Sequence, residues 1–338
     1  MKRIFIMSSE RSGSNLLRSM LGRHPDIVAP TAVHFTTNMA NLAFFYGNYN
    51  DDAVLYEVVT DMIEVAASHI VPWKWNIKTT DVLPKIKKKN FWGCMAGLFD
   101  SIALTKRKCA WVCKDNNLFD YMAEILCNMD NAYVIYLVRD GRDVALSFFN
   151  VPGGPSTINK SAKLWTREQM TCLRLVSLFR KSIHVVRYED LISNPEKQLR
   201  KICSFLEIDY SHDMLLFAVS ETSQRMSDRS KYWENLNKPV LKNNYNKWKK
   251  RMSHIDALRY QQVAALPLMA LGYDTVEVDY EWRHNRLYYF LKDYFIEVFY
   301  ALKVNFWSHE NKLRNKKRSK ISSINRKLKK RKIACDFQ

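Results

Sequence analysis

The run AYVIYLVRD at 132–140 constrains the fold more than any other stretch of the chain. It is apolar without alternation up to Arg139. A strand with that pattern is covered on both faces, as interior strands of parallel sheets are. RIFIM at 3–7, CAWVCK at 109–114 and SIHVVRYED at 182–190 have the same character. Helical spacing separates them: Leu16, Leu17, Met20 and Leu21 share one face, as do Met122, Ile125 and Leu126, and Leu199, Ile202, Cys203 and Leu206. Strand alternating with helix predicts an α/β fold around a central parallel sheet. Residues 35–105 read mostly as helix and loop, and LGYDT at 271–275 closes the globular part.

Two strand ends run into polar segments. After RIFIM comes SSERSGSN, Ser8 to Asn15, with a helix expected from Leu16. Backbone N–H groups of such a loop converge with the first helical turn on an anion, and the helix dipole assists. Gly13 permits close backbone approach. Ser12, Ser14 and Asn15 add side-chain donors and Arg11 a fixed charge. An ATP-binding loop would follow its last glycine with Lys and Ser/Thr. Ser14 and Asn15 stand there instead, which disfavours a nucleotide kinase, although that remains an alternative of related fold. The second strand end is Arg139-Asp140-Gly141-Arg142-Asp143, with Ser147 two helical turns beyond Arg139. A strand-end guanidinium and a serine hydroxyl together suit a phosphate. A plain charged helix start, with Asp140 and Asp143 at its positive end, is the competing interpretation.

The net charge of +19 favours acidic partners. It is uneven: residues 281–338 hold 16 Lys/Arg against 5 Asp/Glu. Within Leu287–Trp307, 16 of 21 residues are hydrophobic and the charges Lys292, Asp293, Glu297 and Lys303 cluster on one side, so an amphipathic helix is expected there. The polybasic run NKLRNKKRSKISSINRKLKKRK follows. Peripheral contact with an anionic membrane and packing on the enzyme's own core, with a disordered basic end, are the two main readings. Nucleic acid is not expected, because no interleaved binding motif accompanies the charge. Seven cysteines with no CxxC and no histidine near Cys109 or Cys113 point to reduced thiols rather than a zinc site. Only four apolar residues separate Arg3 from Ser8, too few for a secretory signal, and no apolar run reaches membrane-spanning length. A cytoplasmic protein is therefore expected, with peripheral attachment at the inner membrane face only on the membrane reading of the tail.

At these residues the chain resembles the sulfotransferases. SSERSGSNLLRSMLGRHPDI is similar to their 5′-phosphosulfate loop, and YLVRDGRDVALS to their 3′-phosphate motif. VRYEDLISNPEKQLRKICSFLEI is similar to a third block of the bacterial and protein-tyrosine branches. The resemblance implies a three-layer P-loop-like fold, a sulfotransferase domain over 1–280 and a helical basic extension over 281–338. The donor would be PAPS (3′-phosphoadenosine 5′-phosphosulfate), with PAP as product and no metal. Arg11, Ser12, Gly13, Ser14 and Asn15 would cradle the 5′-phosphosulfate. Arg139, Ser147 and Lys247 would hold the 3′-phosphate. Tyr188 would contact the adenosine, under a loop at about Tyr232 to Leu241.

Sulfuryl transfer needs an in-line nucleophile and a cation for charge on the leaving oxygen. The resemblance places Lys114 in the second task, although Asp115-Asn116 follow it where relatives carry Ser/Thr-Pro. In PDIVAPTAVHFTT, Ala32 replaces an expected glutamate, leaving His34 as the acceptor's base. A bland loop-orienting role for His34 and a role for Glu10 both stay open. The expected acceptor is a hydroxyl, on a glycan, a lipid-linked glycan or a small molecule. The alternative of another class is a non-catalytic module that holds PAP or an acidic glycan.

Overall fold

Each of the four apolar runs forms a strand. The computed structural model describes residues 1–73, 75–149, 154–229, 233–277, 286–304 and 309–336. In chain order the elements are β1 (Lys2–Met7), α1 (Ser14–Leu21), β2 (Ile27–Val28), α2 (Phe35–Met39), α3 (Asp52–Ala67), α4 (Thr79–Val82), α5 (Phe91–Thr105), β3 (Ala110–Lys114) and α6 (Leu118–Asn128). There follow β4 (Ala132–Val138), α7 (Gly141–Phe148), α8 (Ile158–Leu178), β5 (Ile183–Arg187), α9 (Tyr188–Ser193) and α10 (Pro195–Phe205). The chain ends in α11 (Glu221–Arg229), α12 (Trp248–Arg251), α13 (His254–Ala270), α14 (Arg286–Val304) and α15 (His309–Asp336).

The sheet has five strands in the order β2-β3-β1-β4-β5. Every pairing is parallel. The two-residue β2 escapes sequence reading because it is too short to show a period. Side chains of a strand alternate between faces, so an unbroken apolar run implies two cores. Phe5 and Met7 of β1 join Trp111, Cys113, Val134, Tyr136 and Val138 in the larger cluster, with α3, α5, α6, α8 and α13. Ile4 and Ile6 join Val112, Ile135, Leu137 and Val186 in the other, with α1, α9 and α10. The result is a three-layer α/β fold.

This order positions the site. β1 lies between β3 and β4, where the strand order reverses, and loops leaving the strand ends part there to form a crevice. Lys114 ends β3 beside Ile6 of β1, and Arg139 follows β4 on the other side. The loop after β1 runs between them.

α15 carries much of the basic run and packs on the larger core. Ile324 and Leu328 are buried in it beside α3. Each such side chain contributes about 1.5–3 kcal/mol relative to leaving it exposed. Lys327 Nζ reaches Asp61 Oδ2 at 2.6 Å and Glu57 Oε1 at 2.8 Å, and Lys320 pairs with Glu64. Part of the basic run is thus matched to an acidic face of α3. Among the described residues no helix is long and apolar enough to cross a membrane.

Candidate active site

Gly13 sets the shape of the loop after β1. It has φ +88°, in the left-handed region, and caps α1, which starts at Ser14, two residues before the sequence suggests. A Cβ at this position would lie 2.5 Å from two carbons of the Tyr188 ring. Glycine is therefore required twice, by its dihedral and by the ring lying across it. We expect Gly13→Ala to cost about 1–2 kcal/mol for the left-handed alanine alone. Thermal melts with and without PAP should show a lower midpoint and PAP stabilisation largely lost. A wild-type response to PAP would mean that this close approach does not shape the pocket.

A cavity of about 480 Å³ opens beside the loop. Arg11, Gly13, Ser14, Asn15, Arg139, Ser147, Tyr188 and Lys247 all line it. Ser12 lies fully buried beneath. Arg11 Nε donates to Ser147 Oγ at 3.1 Å, and Arg139 Nη1 donates to the Arg11 carbonyl at 2.9 Å. The two polar strand ends thus meet in one cavity. Arg139 Nη2 donates to the Asn244 carbonyl at 3.1 Å, and its guanidinium lies 4.6 Å from the Tyr188 ring centre. Asn244 Nδ2 in turn donates to the Tyr188 hydroxyl at 2.7 Å. Ser12 Oγ, Asn15 Oδ1 and Arg139 Nε are buried and have no hydrogen-bond partner among the described residues. Buried polar atoms are normally satisfied, so their grouping around one cavity indicates a polar ligand. Burial lowers the Lys247 pKa, and the charges of Arg139 and Arg251 lower it further, as expected where cations converge.

The rest of Arg139–Asp143 builds the frame. Asp140 caps α7 by accepting from the Arg142 N–H and also accepts from the Arg142 guanidinium, at 3.0 and 2.7 Å. Arg142 lies 3.5 Å from the Trp248 ring centre. Asp143 Oδ1 accepts from the Trp248 N–H at 2.8 Å and so ties down the segment that carries Asn244 and Lys247. Glu189, next to Tyr188, accepts from the Asp140 N–H at 3.0 Å. Residues 233–241 cover the cavity, with Leu236 packed against Val71 and Met226. Tyr232, the expected start of that cover, lies outside the described residues.

Lys114 and His34 form a second group on the β3 side. Lys114 is 8% exposed, and its Nζ donates to Asn116 Oδ1 at 2.7 Å. Asn116 Nδ2 donates to Glu10 of the anion loop. His34 Nδ1 lies 2.7 Å from Asp115 Oδ1, and Asp115 Oδ2 accepts from the Thr36 N–H and hydroxyl at 2.8 and 2.9 Å. A carboxylate facing Nδ1 holds the ring proton there and leaves Nε2 as the basic nitrogen. Burial keeps the His34 pKa below its ordinary 6.5, with Asp115 working against it and Lys114 with it. Burial pushes the Asp115 carboxyl up but is outweighed by the hydrogen bonds from His34 and Thr36, so its pKa is lowered. Burial likewise lowers the Lys114 pKa, against the raising effect of Glu10 and Asp115.

Residues 3–212 match the family model described as the sulfotransferase family. The chain belongs to that family. This sulfotransferase is 24% identical over 284 residues to a Caenorhabditis briggsae protein named "Putative protein-tyrosine sulfotransferase", covering 80% of this chain and 89% of the relative. Its fold is similar to the sulfotransferase domain from the Synechococcus PCC 7002 olefin synthase, with TM-score 0.57 and 22% identity over 82% of this chain and 96% of that one. The sulfotransferase domain from the curacin biosynthetic pathway gives TM-score 0.54 and 19% identity over 81% and 99%. The family's donor is PAPS.

Several residues of this sulfotransferase gain a place in the site only from the structure. Asp115 and Asn116 read in sequence as departures from the family pattern, yet they hold His34 and Lys114. Their one sequence signal is position, directly after a strand-end lysine. Arg18 is buried in α1 and donates to the Ala29 carbonyl at 2.8 Å, to Ser19 Oγ at 2.9 Å and to Met226 Sδ at 3.1 Å. Burial lowers its pKa to about 10, and its charge acts on Lys114. Glu168 is buried beside Ser9, and burial first, then Glu10, raises its carboxyl to about 7. That reduces the negative charge behind the anion loop.

Asp115→Asn tests the tautomer argument. Neutral His34 is the basic form. Its lowered pKa keeps that form as pH falls through 6.5, so if His34 is the acceptor's base the acid limb of kcat/KM is expected below 6.5. The variant loses the group that raises the His34 pKa and fixes its tautomer. Its plateau should drop roughly tenfold while the limb moves further down in pH. An unmoved limb would reduce Asp115 to a structural role.

Proposed function

We propose that this sulfotransferase binds PAPS in the cavity beside Gly13 and transfers its sulfuryl group to an acceptor hydroxyl next to His34. One juxtaposition carries the reading. The anion loop is hydrogen-bonded on one flank to Arg139, through the Arg11 carbonyl, and on the other to the Lys114–Asn116 pair, through Glu10. Bound PAPS would supply an activated sulfuryl group whose departure leaves charge on the bridging oxygen. The orphaned Ser12 hydroxyl and Arg139 Nε fit such an anion, since both can donate to it. In this reading Arg11, Ser12, Gly13, Ser14 and Asn15 hold the 5′ end. Arg139, Ser147 and Lys247 hold the 3′-phosphate, with Tyr188 and residues 233–241 closing on the nucleoside. Lys114 brings positive charge to the leaving oxygen, and His34 takes the acceptor's proton at Nε2. The catalytic unit is residues 1–280, which contain every one of these groups.

In this reading the acceptor hydroxyl is on a glycan, free or lipid-linked, with small alcohols or phenols next; the basic C-terminal region supports a lipid-linked acceptor. The printed name of the C. briggsae relative makes a tyrosyl hydroxyl the competing acceptor. Radiolabelled PAPS offered with glycans, lipid-linked glycans, tyrosine-containing peptides and simple phenols separates them. Label on the peptides alone would move the acceptor to tyrosine. PAP binding without transfer to any acceptor would favour the non-catalytic module, which the His34–Asp115 pair and Lys114 argue against. Phosphoryl transfer from labelled ATP would favour the kinase.

A further inference from the structure

Helix α14 has its amphipathic faces reversed. Asp293 Oδ2 accepts from Arg259 Nη2 of α13 at 2.6 Å, and Glu297 Oε2 pairs with Lys160 Nζ of α8 at 2.9 Å. Its acidic groups therefore turn toward the protein. The other side presents Tyr288, Leu291, Tyr294, Phe295, Val298 and Phe299, between 44% and 68% exposed. At about 100° per residue these six span an arc of roughly 140°, centred roughly 150° from the acidic pair. A helix on a soluble domain ordinarily buries its apolar stripe and exposes its charges. A contiguous apolar face turned outward marks an interaction surface.

Charge identifies the occupant. Between α8, α13 and α14 lies a cavity of about 430 Å³ lined by three cations, Lys160, Lys163 and Arg259, and by two carboxylates, Asp293 and Glu297, which pair with Arg259 and Lys160. Lys163 is exposed and has no ion-pair partner among the described residues, and Lys292 is exposed at the edge of the apolar face. A second copy would set these lysines and a net charge of +19 against their own kind. An anionic bilayer supplies the opposite charge, and tyrosine and phenylalanine are at home among its headgroups. We infer that α14 is a monotopic anchor. It lays its outward face into the headgroup region of an anionic phospholipid bilayer, and the cavity beside Lys163 takes a headgroup phosphate. This does not depend on the assignment of the reaction.

Flotation of the full chain with vesicles tests it. Binding is expected to vesicles of phosphatidylcholine with phosphatidylglycerol, weakly or not at all to phosphatidylcholine alone, and to fall as salt rises. Phe295→Ser/Phe299→Ser keeps every charge and should lower partitioning at least about tenfold, two exposed aromatic side chains being worth more than that on transfer. Its thermal midpoint should be within a few degrees of wild type, which reports that it is folded. Lys163→Glu should weaken binding to the anionic vesicles. Three results overturn the proposal. The wild-type chain fails to float with anionic vesicles. The double variant floats as well as wild type, so that basic charge alone suffices. Or sedimentation shows a wild-type dimer that the double variant dissolves, without vesicle binding, making a second copy the occupant.

Discussion

Lys114→Ala is expected to lower kcat by about 10²–10³-fold while PAPS affinity stays within about twofold of wild type. The asymmetry follows from where the side chain sits. Lys114 ends β3, across the anion loop from Arg139, and does not line the nucleotide cavity. Its Nζ is held by Asn116, with Asn116 tied to Glu10 of the loop. A cation so placed acts on charge that develops on the bridging oxygen during transfer and finds less of it in ground-state PAPS. Burial makes that charge effective because little water screens it. It is also costly, so the alanine variant should melt no lower than wild type, and a folding defect will not imitate the loss. Lys114→Arg should not restore activity, since a planar guanidinium does not reproduce a point charge on the strand-end stem. Steady-state kinetics with titration of PAPS into each variant, in the absence of acceptor, measure both quantities. Wild-type kcat in Lys114→Ala would remove its role.

The second large effect is on binding. Arg139→Ala should weaken PAP about 100-fold, as hydrogen bonds from an ionised group to phosphate are worth about 1.5–3 kcal/mol. Arg139 also joins two segments that line the cavity, through the Arg11 and Asn244 carbonyls. Of these losses, that of the phosphate partner is expected to dominate. Ser147→Ala removes one hydroxyl and should cost much less, about fivefold. Equal PAP affinity in Arg139→Ala and wild type would place the 3′-phosphate elsewhere.

The sheet was legible because buried parallel strands advertise themselves. Residues 132–138 and 3–7 are apolar on both faces, and the two cores on either side of β1 are the physical reason. The turn after β1 was legible because a glycine among small polar residues between an apolar run and a helical face marks a strand-to-helix turn. The frame was not. Asp143 grips a backbone N–H more than a hundred residues away in sequence, and Arg142 stacks on Trp248; neither leaves a local pattern. Asp115 was hidden because its partner His34 is 81 residues distant. Periodicity found the amphipathic α14 but not its orientation. Which face turns inward depends on Arg259 and Lys160 of other helices, and only the fold brings those to Asp293 and Glu297.

The central claim is that one nucleotide spans the cavity from the Gly13 loop to Arg139. Calorimetric titration of PAP and of adenosine 5′-monophosphate into wild type and Arg139→Ala tests it most directly, because the two ligands differ only in the 3′-phosphate. Wild type should prefer PAP by about 10–100-fold, and Arg139→Ala should lose most of that preference while binding the monophosphate nearly as before. Equal affinity of the wild-type protein for both ligands, or a PAP preference untouched by the substitution, would contradict the account.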